Sequence, residues 1–291
     1  MSTLLPEIKA LGTIWWIEIF TEISATKKQV VYDNLLLFIA HFENEYSRFK
    51  PDSLITKLNT TGNLENPDQM TVDLFSKGQE LFTKTDGLFN FLIGEILENR
   101  GYDADYSFTI KETVNTKINA LEDLSVSSEA IILTKGRVDL GGFGKGYLID
   151  LIAKELKDTY KFPYFLINGG GDIYATSDNE TPITIYLEHP TNLETYIGTT
   201  SLLNQGFAAS SPHKRQWVVN KKKYNHIVST EHEIKIDATF IKAKTAYEAD
   251  AFATTALLLH QEEIPNFAIK NNIAIAYIPT HETRMFSTEG W

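Results

Sequence analysis

"VDLGGFGKGYLIDLIAKELKDTYKFPYFLINGGGDIYA", residues 138–175, sets a glycine cluster on each side of one amphipathic run. From Tyr147 onward, Leu148, Leu151, Ile152 and Leu156 recur on a single helical face. Tyr164–Asn168 is an apolar strand that runs directly into Gly169, Gly170 and Gly171. One glycine loop therefore enters a helix, and a second glycine-rich turn leaves the next strand. A helix start offers unpaired N–H groups and the positive end of the dipole, so this arrangement suits an anion such as phosphate. Upstream, Ala130–Thr134 reads as a strand, Lys135-Gly136 as a turn and Arg137–Leu140 as the returning strand.

The standard phosphate motifs do not fit the loop. A P-loop needs Gly, four residues, then Gly-Lys-Ser/Thr, but Asp139 stands at the first Gly and Gly146 at the hydroxyl. In a dinucleotide fingerprint Gly142 and Gly144 fit, and the third glycine falls one residue early, at Gly146. By spacing alone, a tight turn that uses glycine for backbone reasons stands beside the anion site.

Working outward, Thr13–Phe20, "TIWWIEIF", reads as a strand rich in aromatic and β-branched residues. A helix is expected over about 27–49 and is broken by "KPDS" at 50–53. A second is expected near 72–85, ending in the turn signal Asp86-Gly87. Late in the chain, "TAYEADAFATTALLLH" predicts a helix from about Ala246, with Thr245 and Glu248 at capping-box spacing. Asp250 and Thr254 are four apart and face the same way. Ala249, Ala251, Ala253 and Ala256 permit close approach of backbone or ligand, and Leu257, Leu258 and Leu259 suggest a buried end.

At 291 residues the chain is long enough for a large core, and its 43% hydrophobic and 22% charged content is that of an ordinary globular protein. A net charge of −11 argues against a nucleic-acid partner. With no cysteine, disulfides, thiolate nucleophiles and Cys-ligated zinc are excluded. No signal peptide and no membrane segment is expected, which makes a cytoplasmic location the default. The pattern of strands and helices predicts an α+β fold.

Three segments together carry a resemblance. "DLGGFGKGYLID" (139–150), "FLINGGGDIYA" (165–175) and "ADAFATTALLL" (249–259) resemble the signature segments of the ApbE family, the FAD:protein FMN transferases. Weaker matches follow in the family's order: Leu11–Thr13, Tyr46–Asn59, Thr85–Asn90 and Tyr224–Val228. The resemblance implies a single domain over 1–291, a T-fold-like arrangement of mixed sheets and packed helices, and a ligand cleft between two lobes. It implies FAD as bound substrate and Mg²⁺ as cofactor. The reaction would break the pyrophosphate, release AMP and attach FMN by a phosphoester to Thr or Ser of an acceptor flavoprotein. Some family members instead hydrolyse FAD to FMN and AMP, and a non-catalytic FAD-binding protein is the other alternative.

Carried over by position, Asp139 and Lys145 fall on flavin-nucleotide contacts. Gly142 falls where a backbone carbonyl ligates the metal, and Asp250 and Thr254 on its side-chain ligands. His226 falls on a histidine implicated in catalysis. Leu11, Phe49, Leu88, Phe89, Asn90 and Ile227 fall on positions lining the FAD pocket. These are oxygen donors suited to a hard cation, with a lysine charge for the phosphates and a histidine tunable near neutral pH. Without the resemblance plainer readings stand: Asp250 as an acid near a helix start, His226 as a structural histidine, Phe49 and Phe89 as core, Asp172 as a turn residue. His213 and His232 show no zinc spacing. The chain departs from the family pattern at Asn90, at Leu92, at 209–215, where Ser210 and Arg215 match, and at 225–230.

Overall fold

A computed structural model describes residues 2–103, 107–110, 118–192, 194–213, 216–219, 222–225, 227–228 and 233–291. Its helices are α1 (Ala25–Tyr46), α2 (Leu54–Thr61), α3 (Gln69–Lys84), α4 (Gly94–Asn99), α5 (Gly144–Asp158), α6 (Ala246–Ala256) and α7 (Ile264–Asn271). Among the described residues every pair of strands is antiparallel, and the fold is mixed α/β. No described helix is long and apolar enough to cross a membrane. The chain forms two compact units. One comprises Met1–Glu43, Phe143–Ser211 and Lys235–Trp291, and the other Asn44–Gly142 and Pro212–Ile234.

The first unit is built on one sheet. Its strand order is Thr3–Leu4, Thr13–Ile19, Phe165–Gly169, Ile173–Thr176, Gln205–Ser210, Ile236–Ala243, Ala274–Pro279 and Phe286–Ser287, with Ile8–Ala10 also paired to Thr13–Ile19. Alternation explains the second of these strands: Trp15, Ile17 and Ile19 are buried, while Trp16 is 51% exposed. Trp15 pairs with Gly169, whose missing side chain leaves room for the indole; a Cβ there would lie 3.0 Å from the ring. One face of the sheet supplies Ile173, Ala175, Phe207, Ala238, Phe240, Ala276 and Ile278 to a core shared with the hairpin of Ile183–Glu188 and Tyr196–Leu202. The opposite face takes α6, to which Thr239 Oγ1 is tied by donating to the Ala253 carbonyl at 2.7 Å.

The expected turn after Asn168 is present. Asn168 Oδ1 accepts from Gly171 N at 2.8 Å, and Gly170 and Gly171 adopt φ of +80° and +104°, which favour glycine. The turn leaves Asp172 buried at 5% exposure rather than out in water.

The second unit contains α2, α3, α4 and a three-stranded sheet of Asn63–Glu65, Ala130–Leu133 and Leu124–Val126, with a hairpin of Gln216–Val219 and Lys222–Asn225. Ser53 caps α2 by accepting from Thr56 N at 3.0 Å, and Asp68 caps α3 by accepting from Thr71 N at 2.7 Å. Asp68 starts α3 at Gln69, three residues before the position expected from apolar spacing.

One expected strand is absent. Residues 137–140 do not return against Ala130–Leu133; the latter pairs with Leu124–Val126 and Asn63–Glu65. The reason lies in where the backbone bonds go. The Asn59 side-chain amide takes both polar groups of Val138, accepting from its N–H at 2.7 Å and donating to its carbonyl at 3.0 Å. Arg137 N and Asp139 N donate to Leu92 and Phe91 carbonyls at 3.1 and 2.7 Å. Arg137 makes only an isolated bridge, parallel, with Ile93.

Candidate functional site

In the first unit the glycine loop delivers α5, whose first turn packs against the start of α6. The approach is backbone to backbone: a Cβ on Gly146 would lie 2.4 Å from the Ala246 carbonyl oxygen and 2.6 Å from Tyr247 Cα. A Cβ on Gly206 would likewise meet the Thr245 carbonyl oxygen at 2.3 Å. Both glycines are required for closeness. The alanines of α6 follow from the same geometry, since Ala246, Ala249, Ala251, Ala253 and Ala256 are all buried.

The capping box read at Thr245 and Glu248 does not form; the two side chains bond each other instead. Thr245 Oγ1 donates to the Glu248 carboxylate at 2.9 Å, but Thr245 accepts no backbone N–H of the helix. Asp150 of α5 caps α6 instead, Oδ1 accepting from Ala246 N and Oδ2 from Tyr247 N, each at 2.9 Å. Burial pushes the Asp150 carboxyl up to about 7; the two N–H groups pull it down, Glu248 adds to the rise and Lys157 opposes it.

One turn into α6 stands Asp250, 6% exposed. Its Oδ2 accepts from Gly146 N at 3.1 Å and lies 3.4 Å from Lys145 Nζ. The same ammonium is 2.6 Å from Asp172 Oδ2. One cation thus sits between two buried carboxylates. Both Asp250 contacts fall on Oδ2; among the described residues Oδ1 takes part in none. The Thr254 hydroxyl, half-buried, also makes no side-chain hydrogen bond among the described residues, whereas Thr255 beside it returns its hydroxyl to the Ala251 carbonyl at 2.9 Å. An acidic oxygen and a hydroxyl oxygen with no side-chain hydrogen bond among the described residues, four residues apart on one helix, fit a hard divalent cation. Among the described residues no three His, Asp or Glu side chains converge as a metal cluster. Leu11, also in this unit, has a positive φ of 51° and donates its N–H to Glu43 Oε1 at 3.0 Å.

The second unit holds the other expected residues. Asp139 accepts from Arg48 Nε, and its Oδ1 accepts from Gly141 N at 2.7 Å. Arg48, whose side chain is 4% exposed, also donates to the Tyr102 carbonyl at 2.8 Å and lies 3.6 Å from Glu98. Its guanidinium covers the Phe49 ring at 4.2 Å. Phe49 meets Tyr102 edge-on, Tyr102 stacks on Trp217 at 5.8 Å, and Trp217 Nε1 donates to the Arg100 carbonyl at 2.9 Å. Phe89 is buried beside Gly142, where a Cβ would lie 3.0 Å from its ring. Leu88, next to it, is half-buried. Asn90 spends its amide on the chain, Nδ2 donating to the Ile118 carbonyl at 3.0 Å and Oδ1 accepting from Leu92 N at 2.9 Å. Ile227 is buried, and its N–H donates to Asn225 Oδ1 at 2.9 Å. His226, Arg215 and His232 lie outside the described residues.

Sequence reasoning placed Lys145, Asp250 and Thr254, and the fold brings Lys145 and Asp250 together. Spacing gives no role to Asp150 or Arg48, and it leaves Asp172 open, equally a turn residue. The last acid of "DLGGFGKGYLID" and the arginine of "YSRFKPDS" were the available signals.

The model of the ApbE family matches residues 11–278. A protein of Haemophilus influenzae named FAD:protein FMN transferase is 22% identical over 297 residues, covering 93% of this chain and 84% of its own length. The crystal structure of the ApbE protein from Thermotoga maritima superposes with a TM-score of 0.86 at 18% identity, over 99% of this chain and 97% of that one. The apo flavinyl transferase ApbE of Pseudomonas stutzeri superposes with a TM-score of 0.82 at 18% identity, over 99% and 94%.

Proposed function

The chain belongs to the ApbE family, and from that premise we propose that it is an FAD:protein FMN transferase, the activity for which its Haemophilus influenzae relative is named. The observation that supports this best is the α6 pair, Asp250 Oδ1 and Thr254 Oγ1, beside a lysine held between two acids. In this reading Asp250, Thr254 and the Gly142 carbonyl hold Mg²⁺, which when bound would supply charge neutralisation to the pyrophosphate. Lys145 gives a further positive charge to the phosphates. Asp172 and Asp250 fix its position.

Asp139 and the FAD-lining residues Leu11, Phe49, Leu88, Phe89, Asn90 and Ile227 orient the nucleotide. His226 takes the proton from the acceptor Thr or Ser hydroxyl. That oxygen forms the new bond to the FMN phosphorus, the P–O bond toward the adenosine half breaks, and AMP departs. The acceptor is a flavoprotein carrying Asp-x-x-Ser/Thr-Gly-Ala-Ser/Thr.

The test is to incubate the protein with FAD, Mg²⁺ and a peptide bearing that motif, then follow AMP and the peptide mass. An FMN adduct with equal AMP supports transfer. AMP and free FMN with no adduct rejects transfer in favour of FAD hydrolysis, a reading favoured by the departures at Asn90, Leu92 and 225–230. Asp250→Ala is expected to lower metal-dependent turnover at least 100-fold, as loss of a metal ligand does; unchanged turnover rejects Asp250 as a ligand.

A further inference from the structure

The start of α6 is held from outside the helix. Its first two N–H groups go to the two oxygens of one carboxylate, Asp150, which belongs to α5. Asp150 lies five positions after Lys145, which stands at one end of the same helix, where Gly146 N reaches Asp250 Oδ2 at 3.1 Å. α6 is therefore fixed to α5 at two points, the Asp150 cap and the Gly146–Asp250 bond, and Thr254 follows the second four residues on. We propose that Asp150 is a positioning residue for Asp250 and Thr254: its ionised carboxylate clamps the start of α6 to α5 and thereby sets the donor pair in place. The proposal rests on the reading of that pair as metal ligands.

The geometry makes the clamp sensitive to one proton. Each oxygen serves one N–H, so protonating either oxygen removes one charge-assisted bond. The groups facing Asp150 are the N–H groups of Ala246 and Tyr247, with Glu248 on α6 and Lys157 on α5; burial moves its titration to about 7. Asp150→Asn keeps the shape and leaves one carbonyl oxygen, with an NH₂ set against an N–H donor.

The experiment uses the full chain. Mg²⁺ affinity is measured by calorimetry without FAD, and hydrogen exchange at Ala246 and Tyr247 is corrected for intrinsic rates, both from about pH 6 to about pH 8, either side of the Asp150 value. In the wild type, affinity should rise about tenfold across this range, the worth of one hydrogen bond to a charged group, and protection should rise with it. Asp150→Asn should bind about tenfold more weakly at the upper end, show little dependence of protection on pH, and exchange both amides faster. Unchanged protection at Ala246 and Tyr247 in the variant, or a variant with wild-type affinity at the upper end, overturns the proposal. If the wild type binds no Mg²⁺ at any pH, the ligand reading fails, and lost or kept protection in Asp150→Asn still supports or overturns the clamp. Should Asp150→Asn not fold, wild-type protection that stays constant with pH overturns it.

Discussion

Gly146→Ala adds one methyl group where two backbones meet. The new Cβ would lie 2.4 Å from the Ala246 carbonyl oxygen, 2.6 Å from Tyr247 Cα and 2.7 Å from the Ala246 carbonyl carbon. Cβ contacts under 3.0 Å essentially do not occur, so α5 and α6 must separate by at least about 0.6 Å. No side chain can yield instead, because all three obstacles are backbone. Overpacking of this kind costs about 1–3 kcal/mol. Alanine in a helix returns up to about 1 kcal/mol over glycine, and the contacts with Asp250 and the Asp150 cap stretch as the helices part. A net loss of about 2 kcal/mol is expected, or a fall of roughly 3 °C in Tm. Metal affinity should fall as well, since Gly146 N fixes Asp250 Oδ2. Thermal unfolding by calorimetry reads the first effect and Mg²⁺ titration the second. Gly198→Ala, whose Cβ would meet only side-chain carbons at 3.7 and 3.8 Å, is the control and should stay within about 0.5 kcal/mol. A Gly146→Ala protein as stable as wild type would refute the claim that this contact admits no side chain.

Three further outcomes are expected. Asn59→Ala strips the buried Val138 of both backbone partners and should cost about 2–4 kcal/mol in urea unfolding; a loss under about 0.5 kcal/mol would show that other groups replace them. Asp150 keeps its proton up to about 7 in the folded state against an ordinary 3.8, so between those values the folded chain binds more protons than the unfolded one. The Asp150 contribution to stability, roughly 4 kcal/mol, is therefore lost as pH rises through that window and is flat above it. Asp150→Asn lacks this slope, so its stability deficit should shrink toward pH 7 while its deficit in Mg²⁺ binding grows; a stability gap that widens with pH overturns the assignment. Thr254→Val removes a hydroxyl that makes no side-chain hydrogen bond among the described residues, so stability should hold within about 1 kcal/mol while Mg²⁺ affinity falls about tenfold or more; equal affinity by titration counts against Thr254 as a ligand.

Elements governed by local periodicity were legible. The alternation of Trp15, Ile17 and Ile19, the apolar face of α5 and the alanine-rich α6 all follow from side-chain spacing alone. What was hidden depends on partners distant in sequence. Residues 137–140 look like a strand by composition, but Asn59, 79 residues from Val138, claims that backbone. The Thr245/Glu248 pair has the spacing of a self-contained cap, and the cap comes from Asp150, 96 residues from Ala246. Asp172 follows three glycines, as turn residues do, yet the turn buries it against Lys145. Spacing marks Asp250 and Thr254 as sharing a face; only the three-dimensional arrangement shows which of their oxygens make no side-chain hydrogen bond among the described residues.

The first unit is assembled from three separate stretches of chain, and the last of them contributes two interior strands of its sheet and the helix bearing Asp250. On a ribosome emitting the chain from its N-terminus, the strand Gln205–Ser210 waits with one edge bare until Ile236–Ala243 emerges. Exposed edges of that kind invite wrong pairings. The unit bearing Lys145 and Asp250 should thus be a late-folding, chaperone-sensitive product, whereas most of the intervening stretch, Asn44–Gly142, can begin to collapse while the rest is still being translated.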